Sequence, residues 1–231
     1  MVINKHLTKV NFNDKNNTKR IKYIVIHYVG ATGGAQDNCK YFHSVYRGVS
    51  AHYFVGHKGE IWQCVEDADV AWHCGTTGKY KHKYCRNSNS IGIEMCCRKD
   101  SKGNWYFEEE TVAATVELVK ALMKKYNIKI ENVVRHYDVT GKQCPAPYIN
   151  ASKWAAFKNL VVAAANKIEV GDKVKLTSGA TYYNGGKIPA WVKLRTLYVR
   201  EIKGNRVVIS TLRSGAVTGA VDIKYLKEVW R

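Results

Sequence analysis

Residues 22–30 read KYIVIHYVG, a run rich in β-branched residues that predicts a buried strand with His27 near its carboxyl end. Residues 50–65, SAHYFVGHKGEIWQCV, predict two further strands joined by a glycine-containing turn. Residues 87–95, NSNSIGIEM, predict another buried strand, which carries Glu94. Because an unpaired carboxylate among apolar neighbours is costly to bury, Glu94 is a candidate functional residue.

Helical patterns alternate with these strands. A helix is predicted around residues 36–45, and a second over residues 108–126, where acidic residues lie in the first turn and lysines in the last. Residues 131–138, ENVVRHYD, predict the strand that delivers His136, and residues 151–167 predict a closing helix. This alternation favours an α/β domain with a mixed central β-sheet flanked by helices.

The pattern changes at Ile168. From this point the chain shows short alternating strands and glycine turns without a helical period, which is typical of a small all-β barrel. Gly204 and Asn205 stand between two of these strands as a hairpin turn would. The sequence therefore predicts two domains, residues 1–166 and residues 167–231.

A second segment contains residue types that bind metal ions and take part in catalysis. Residues 135–147, RHYDVTGKQCPAP, place His136, Lys142 and Cys144 close together. With His27 they include the three-ligand set of two imidazoles and a thiolate that catalytic zinc sites use while a fourth position stays open for water. Lys142 would place a cation where an oxyanion forms during hydrolysis. Buried cysteines are commonly small hydrophobic residues, so the spacing alone leaves both interpretations open.

Five segments occur in a diagnostic order, namely IVIHYVG, SAHYFVGHKGEIWQ, AWHCG, NSNSIGIE and RHYDVTGKQCP. This order resembles the zinc-dependent N-acetylmuramoyl-L-alanine amidases, the type-2 amidase family that includes phage lysozyme-type amidases and peptidoglycan recognition proteins. The resemblance covers roughly residues 1–165. It implies that a Zn²⁺ ion is held by His27, His136 and Cys144.

The resemblance implies roles for other residues as well. Glu94 would transfer the proton of the attacking water, and Lys142 would stabilise the oxyanion. The AWHCG segment matches a loop at the family's substrate groove, so His73 is predicted to contact the peptide stem of the substrate. Trp72 and Asn89 are further groove candidates, for which ordinary packing and a strand-end cap are the alternatives.

One position departs from a common family pattern. Several members carry a tyrosine directly before the histidine of the second strand, whereas here Ala51 precedes His52. Glu94 is therefore the better candidate for proton transfer. We expect His52 to be a structural residue.

The implied activity is hydrolysis of the amide bond between N-acetylmuramic acid and L-alanine of the peptidoglycan stem, in a phage or prophage endolysin that lyses its host. A bacterial autolysin of the same chemistry and a non-catalytic peptidoglycan recognition module are the alternatives. Cys144 argues against the recognition module, because non-catalytic members lack that ligand. A nucleic-acid binder with structural zinc is a further alternative, but a structural site would need four ligands.

The tail resembles the bacterial SH3-like domains that bind cell walls. The resemblance rests on the succession of short strands and glycine turns and on segments such as YNGGKIPAWV and YVREIKGNRVV. Its aromatic side chains could line a groove for peptide or glycan, although most aromatic residues in so small a domain belong to the core. The groove candidates are Tyr182, Tyr183, Trp191, Tyr198 and Trp230.

The chain is basic throughout, with a net charge of +18 over 231 residues. Residues 1–166 hold 24 Lys and Arg against 14 Asp and Glu, or +10, and residues 167–231 hold 13 against 5, or +8. No nucleic-acid motif accompanies this charge, so the expected partners are peptidoglycan and the anionic polymers associated with it. Solubility alone is the other explanation.

Compartment signals complete the prediction. No apolar run approaches the ~18 residues of a membrane span, and the first residues lack the apolar core of a signal peptide. We therefore expect synthesis in the host cytoplasm and action on the cell wall after release. The six cysteines other than Cys144 are expected to be buried thiols, with a Cys74 to Cys85 disulfide left open.

Overall fold

The computed structural model describes residues 1–75, 78–165 and 167–229. The chain divides into two compact units, Met1–Val162 and Ala163–Arg231. Asn166, where the sequence placed the domain boundary, lies outside the described residues.

The elements of the first unit alternate much as the sequence predicts. Its strands are β1 (Ile3–Lys5), β2 (Phe12–Asn13), β3 (Tyr23–Tyr28), β4 (Tyr53–Val55), β5 (Ile61–Gln63), β6 (Val70–Ala71), β7 (Ser90–Met95), β8 (Arg98–Lys99), β9 (Trp105–Tyr106) and β10 (Val133–Arg135). The helices are α1 (Ala35–His43), α2 (Glu109–Tyr126), α3 (His136–Thr140) and α4 (Ala151–Ala165).

Six strands form a mixed central sheet in the order β1-β5-β4-β7-β3-β10. All neighbours are parallel except β4 and β5, which form the antiparallel pair that residues 50–65 predicted. Two small ribbons, β2 with β6 and β8 with β9, lie apart from this sheet. The predicted α/β class with a mixed sheet and helices is confirmed.

Helices pack on both faces of the sheet. Phe54 of β4 joins the apolar cluster around Ala35 and Cys39 of α1. The adjacent Tyr53 points to the other face, where its hydroxyl shares the carboxylate of Asp67 with Tyr126 of α2. Side chains of the sheet are therefore buried on both sides, which explains the nearly continuous apolar runs in its strands.

One detail differs from the sequence prediction. His136 begins α3 instead of lying within the preceding strand, because Asp138 accepts a hydrogen bond from the backbone N–H of Arg135 (2.9 Å) and caps the helix. Cys96 and Cys97 follow the end of β7, and both are buried, as expected of free thiols.

The second unit is an antiparallel sheet in the order β14-β13-β12-β11-β15. Its strands are β11 (Lys173–Leu176), β12 (Leu197–Lys203), β13 (Arg206–Ser210), β14 (Gly219–Asp222) and β15 (Leu226–Glu228), with a short helix α5 (Ala190–Lys193). Gly204 and Asn205 form the predicted hairpin turn between β12 and β13. Among the described residues of this unit, eleven that are buried make a core of its own, which includes Val174, Leu197 and Ile209.

None of the helices in the described part of the chain has the length and apolarity needed to cross a membrane.

Candidate active site

Three of the predicted site residues, His27, Glu94 and His136, lie at the carboxyl ends of neighbouring parallel strands. His27 of β3 and Glu94 of β7 are direct partners in the strand register. On the other side of β3, Arg135 of β10 pairs with Ile26, so His136 follows beside His27. Since parallel strands end at one edge of the sheet, segments far apart in sequence meet there, as ligand sites of α/β sheets commonly do.

Cys144 reaches the same place through a tight loop. Gly141 ends α3 with a φ of +87°, a left-handed conformation that glycine adopts without strain. The backbone N–H of Tyr137 donates to the carbonyl of Cys144 (2.8 Å) and draws the loop back against the start of α3. The donor atoms of His27, His136 and Cys144 all lie within 4.8 Å of one another, and all three side chains are buried.

This donor set fits a metal ion. The sulfur of Cys144 lies 3.7 Å from Nδ1 of His27. Neither ring nitrogen of His136 has a hydrogen-bond partner among the described residues, although both are buried. A buried imidazole without partners is costly, and coordination to a metal ion would satisfy it.

A cavity of about 300 Å³ contains these groups. A wider cleft of about 820 Å³ has Trp72, His73, His136 and Lys142 among its lining residues as well. Seven of the predicted site residues line the smaller cavity, namely His27, Trp72, His73, Glu94, His136, Lys142 and Cys144.

Glu94 stands beside the ligand cluster without belonging to it. Its Oε1 lies 4.0 Å from Nδ1 of His27, and its side chain is 20% exposed at the cavity. Its Oε2 is buried and has no hydrogen-bond partner in the described part of the chain. Burial raises the pKa of Glu94 to about 8, while the positive charge of Lys142 opposes this shift. The group can therefore both accept and release a proton near neutral pH.

Burial also sets the protonation of the three candidate ligands. It lowers the pKa of His136 to about 4, helped by the charge of Lys142, and it lowers the pKa of His27 well below the ordinary value. Both imidazoles are thus neutral at pH 7 and have a lone pair to offer. Burial raises the pKa of the Cys144 thiol to about 12, so a metal ion that binds there displaces the thiol proton.

The AWHCG segment forms one wall of the cavity. The backbone N–H of Trp72 donates to Ser50 Oγ (2.9 Å), and its indole N–H donates to Asn13 Oδ1 (2.7 Å), so the half-buried ring is held at the cavity edge. His73 is more deeply placed, with 7% exposure and its Nδ1 3.0 Å from Nε2 of His27. Both residues line the wider cleft, as substrate-contacting residues would.

Asn89 does not line either cavity. Its side chain accepts from the backbone N–H of Arg86 (2.8 Å) and donates to the carbonyl of Tyr84 (3.0 Å), which is the capping alternative. Asn87 lies at the wider cleft instead, and its Oδ1 accepts from the backbone N–H groups of His73 (3.1 Å) and Cys74 (2.6 Å). Of the two asparagines, the sequence predicts only Asn89 for the groove, whereas the turn geometry places Asn87 at the wider cleft.

Both ring nitrogens of His52 have backbone partners. Its Nδ1 accepts from the backbone N–H of Gly92 (3.0 Å), and its Nε2 faces the carbonyl of Asp69 (3.2 Å). It is fully buried.

The seven cysteines of the chain are free thiols and are buried, including Cys74 and Cys85.

The second unit has a separate cleft of about 440 Å³. Tyr182 and Tyr183 line it together with Arg206. Of the other predicted groove residues, Trp191 is exposed on α5, Tyr198 is half-buried in β12, and Trp230 lies outside the described residues.

Comparison with known proteins agrees with this geometry. The Amidase_2 family, described as N-acetylmuramoyl-L-alanine amidase, matches residues 17–147, which is more than half of the chain. The chain belongs to this amidase family. The matched segment contains every residue of the ligand cluster together with Glu94 and Lys142.

Relatives of this amidase-family chain agree in sequence and fold. A probable N-acetylmuramoyl-L-alanine amidase of Bacillus licheniformis is 32% identical over 80% of this chain and 53% of its own length. The structure of PlyL is similar with a TM-score of 0.58 and 28% identity, covering 70% of this chain and 97% of PlyL. A mutant endolysin from Bacillus subtilis has a TM-score of 0.56 and 28% identity, covering 70% and 99%.

The chain spans about half the length of the curated relatives that it matches.

Proposed function

We propose that this chain is a zinc-dependent amidase that hydrolyses the bond between N-acetylmuramic acid and L-alanine of the peptidoglycan stem. The observation that carries the proposal is the cluster of His27, His136 and Cys144 beside Glu94 in a chain of the amidase family. Zinc suits two imidazole nitrogens and one thiolate, whereas magnesium and calcium prefer oxygen ligands.

Zinc bound to these three residues would act as a Lewis acid on the substrate carbonyl and on the attacking water. Glu94 would accept the proton of that water on its carboxylate and return it to the leaving nitrogen of L-alanine. The raised pKa of Glu94 supports the first step, because a more basic carboxylate accepts the water proton more readily than an ordinary carboxylate does.

Lys142 would stabilise the negative charge that develops on the carbonyl oxygen. It lines both the small cavity and the wider cleft, and its cation influences His27, His136 and Glu94. Because Lys142 is exposed, this stabilisation would become strong only when bound substrate excludes water from the site. The wider cleft, with Trp72 and His73 in its wall, would hold the glycan and the peptide stem.

The biological setting that we infer is an endolysin of phage or prophage origin, which acts on the cell wall after release. The similarity to a Bacillus subtilis endolysin over 70% of this chain supports this setting. A bacterial autolysin would use the same site and chemistry. A non-catalytic recognition module would bind peptidoglycan without releasing L-alanine, which the assay below detects.

The second unit would act as an SH3-like domain that binds the cell wall. Its cleft combines the tyrosine rings with a cation, a composition suited to a peptide with carboxylate groups. Tyr183 is 51% exposed, so its ring is available to a ligand. Wall binding by the full chain should therefore weaken in the Arg206→Ala variant.

Digestion of purified peptidoglycan tests the activity. We expect new N-terminal alanine without new reducing sugar ends. Cys144→Ser should abolish the release of alanine and remove zinc together, and Cys64→Ser, at a buried cysteine outside the ligand cluster, serves as the matched control. New reducing ends without alanine would place the cut in the glycan and overturn the proposal.

A further inference from the structure

His27 faces a partner on each side of its ring. Nδ1 is directed at the cavity, 3.7 Å from the Cys144 sulfur and 4.0 Å from Glu94 Oε1. Nε2 lies 3.0 Å from Nδ1 of His73, within hydrogen-bond distance. Two nitrogens this close share one hydrogen. Since a neutral imidazole carries a single N–H, the owner of that hydrogen decides which nitrogen of His27 can bind a metal ion.

The other ring nitrogen of His73, Nε2, shows which of the two rings carries this hydrogen. Ser90 Oγ donates its only hydrogen to the carbonyl of Arg86 (2.7 Å). Nε2 of His73 lies 3.3 Å from the same Ser90 oxygen, which can then only accept. The hydrogen of His73 is therefore on Nε2, and its Nδ1 carries a lone pair. This lone pair accepts from Nε2–H of His27, and the Cys74 sulfur, 3.1 Å from Nδ1, is a second and weaker donor to it.

We propose that His73 is a positioning residue that holds His27 in the tautomer with hydrogen on Nε2 and a free lone pair on Nδ1. The chain of hydrogen bonds runs from His27 through His73 and Ser90 to the carbonyl of Arg86. A metal-binding histidine commonly donates its other N–H to such a partner, which fixes its orientation and raises its basicity. This inference rests on the proposed zinc site and gives His73 a role other than contact with the peptide stem.

The same hydrogen bond selects between two possible metal sites. Besides the first cluster, His27, His73 and Cys74 also bring their donor atoms within 4.8 Å of one another. That second set would need lone pairs on Nε2 of His27 and on Nδ1 of His73, whereas the hydrogen between the two rings occupies Nε2 of His27. The tautomer of His27 that leaves Nδ1 free to bind a metal ion together with Cys144 therefore prevents Nε2 from binding one together with Cys74.

The surroundings of His73 are built to hold its ring in place. Its backbone N–H donates to Asn87 Oδ1 (3.1 Å). A Cβ on Gly92 of β7 would stand 2.5 Å from the His73 ring, so only glycine at that position lets the ring lie against the strand. The ring is thus confined between the strand and His27, which keeps the hydrogen bond short.

NMR tests the tautomers directly, without any substrate. Long-range ¹H–¹⁵N spectra of the ¹⁵N-labelled full chain should show hydrogen on Nε2 of both His27 and His73, in the metal-free and the zinc-loaded protein. Spectra of single His→Asn variants would assign the signals. Hydrogen on Nδ1 of either ring in the metal-free protein would overturn the proposal.

Zinc affinity, measured by competition with a chelator, gives a second readout. His73→Phe should weaken zinc binding by about 10 to 100-fold, as loss of such a partner typically does. His73→Asn keeps an acceptor near the position of Nδ1 and should recover most of that affinity. Equal affinities in the two variants would mean that His73 only fills space, and the proposal would fail.

Ser90→Ala covers the case in which His73→Phe does not fold. It removes the acceptor of the His73 N–H, so hydrogen should appear on Nδ1 of His73 in part of the molecules, with weaker zinc binding. An unchanged spectrum and affinity would contradict the proposal. His6→Phe, at a residue outside both cavities, is the control. Hydrogen on Nδ1 of both rings in a protein that is an active amidase would contradict this inference alone. Hydrogen on Nε2 of both rings in a protein without amidase activity would contradict only the proposed function.

Discussion

At the scale of single residues, the site is defined by groups that burial leaves without ordinary partners. His136 has two buried ring nitrogens and Glu94 one buried oxygen for which the described residues provide no hydrogen bond. Such groups are destabilising in a resting protein. A metal ion, a water molecule or a substrate in the cavity would supply the missing partners. This is the physical reason to treat these groups as one site.

We predict that Glu94→Gln keeps the fold and the bound zinc but lowers kcat on a soluble muropeptide by about 100 to 10,000-fold, because an amide cannot accept the water proton. Zinc content and kcat should be measured on the same preparation. Glu117→Gln, at an exposed position of α2, is the matched control. Near-normal turnover in Glu94→Gln would assign proton transfer to another group.

At the scale of secondary-structure elements, Arg135 joins the two segments that carry His136 and Cys144. Its guanidinium donates to both carboxylate oxygens of Asp138, with distances of 2.6 Å to Oδ1 and 3.0 Å to Oδ2. It also donates to the carbonyls of Tyr148 (2.9 Å) and Ile149 (3.0 Å), which lie beyond the Cys144 loop. The relative position of the candidate ligands His136 and Cys144 therefore depends on a residue that lines neither cavity.

We predict that Arg135→Lys weakens zinc binding by about tenfold or more and destabilises the protein, since a lysine cannot form the planar fork. Competition with a chelator measures the first effect and denaturant unfolding the second. Arg98→Lys, at a partly exposed ion pair with Glu108, should cost less than about 1 kcal/mol. Equal zinc affinities in the two variants would rule out the role of Arg135.

A second junction ties α2 to the sheet. The buried carboxylate of Asp67 accepts from Tyr53 of β4 (2.5 Å), from Lys125 of α2 (2.9 Å) and from Tyr126 of α2. Burial by itself would raise the pKa of Asp67, but the hydrogen bonds from Tyr126, Tyr53 and Lys125 outweigh it and hold the pKa below its ordinary value. The charged form of Asp67 thus stabilises the fold.

We predict that Asp67→Asn lowers the free energy of unfolding by roughly 1.5 to 3 kcal/mol at pH 7. Because the folded-state pKa is lower than the unfolded value, this contribution is complete above about pH 4 and is lost as the pH falls through the folded pKa. Denaturant unfolding at pH 7 and at pH 3 should show the difference shrinking in acid. A constant difference would disprove the charge argument, with exposed Asp14→Asn as the control.

At the scale of the whole molecule, the proposed catalytic site and the proposed wall-binding cleft belong to different compact units. Every proposed catalytic residue precedes Val162, and the second unit has its own core and its own cleft. The basic charge is shared between them, at +10 for residues 1–166 and +8 for residues 167–231. A polyanionic wall would therefore attract both units, more strongly at low salt.

We predict that a chain ending at Lys167 keeps its kcat on soluble muropeptides but loses on the order of 100-fold in activity on intact cell walls, because the second unit contributes local concentration and not chemistry. Rates on the two substrates, compared with those of the full chain, give the measurement. A truncated chain that loses both activities equally would show that the second unit is needed for the site itself.

The sequence by itself was enough for the elements and for the candidate ligands. The apolar pattern predicted β3, β7 and α2, because a buried strand and an amphipathic helix each have a pattern that is visible within the segment itself. The residue types of His27, His136 and Cys144 left two interpretations open, and the order of the five family-like segments favoured a metal site. Similarly, the glycine turns and short strands after Ile168 indicated a separate all-β unit.

Only the tertiary structure decided how the groups face one another. Asn87, and not Asn89, holds the His73 loop, and Asp138 makes His136 the first residue of a helix. The ring nitrogen that His27 offers to the cavity depends on His73, which is 46 residues away in the chain. Hydrogen bonds of this kind are set by strand register and by the path of loops, and neither leaves a periodic signal in the sequence.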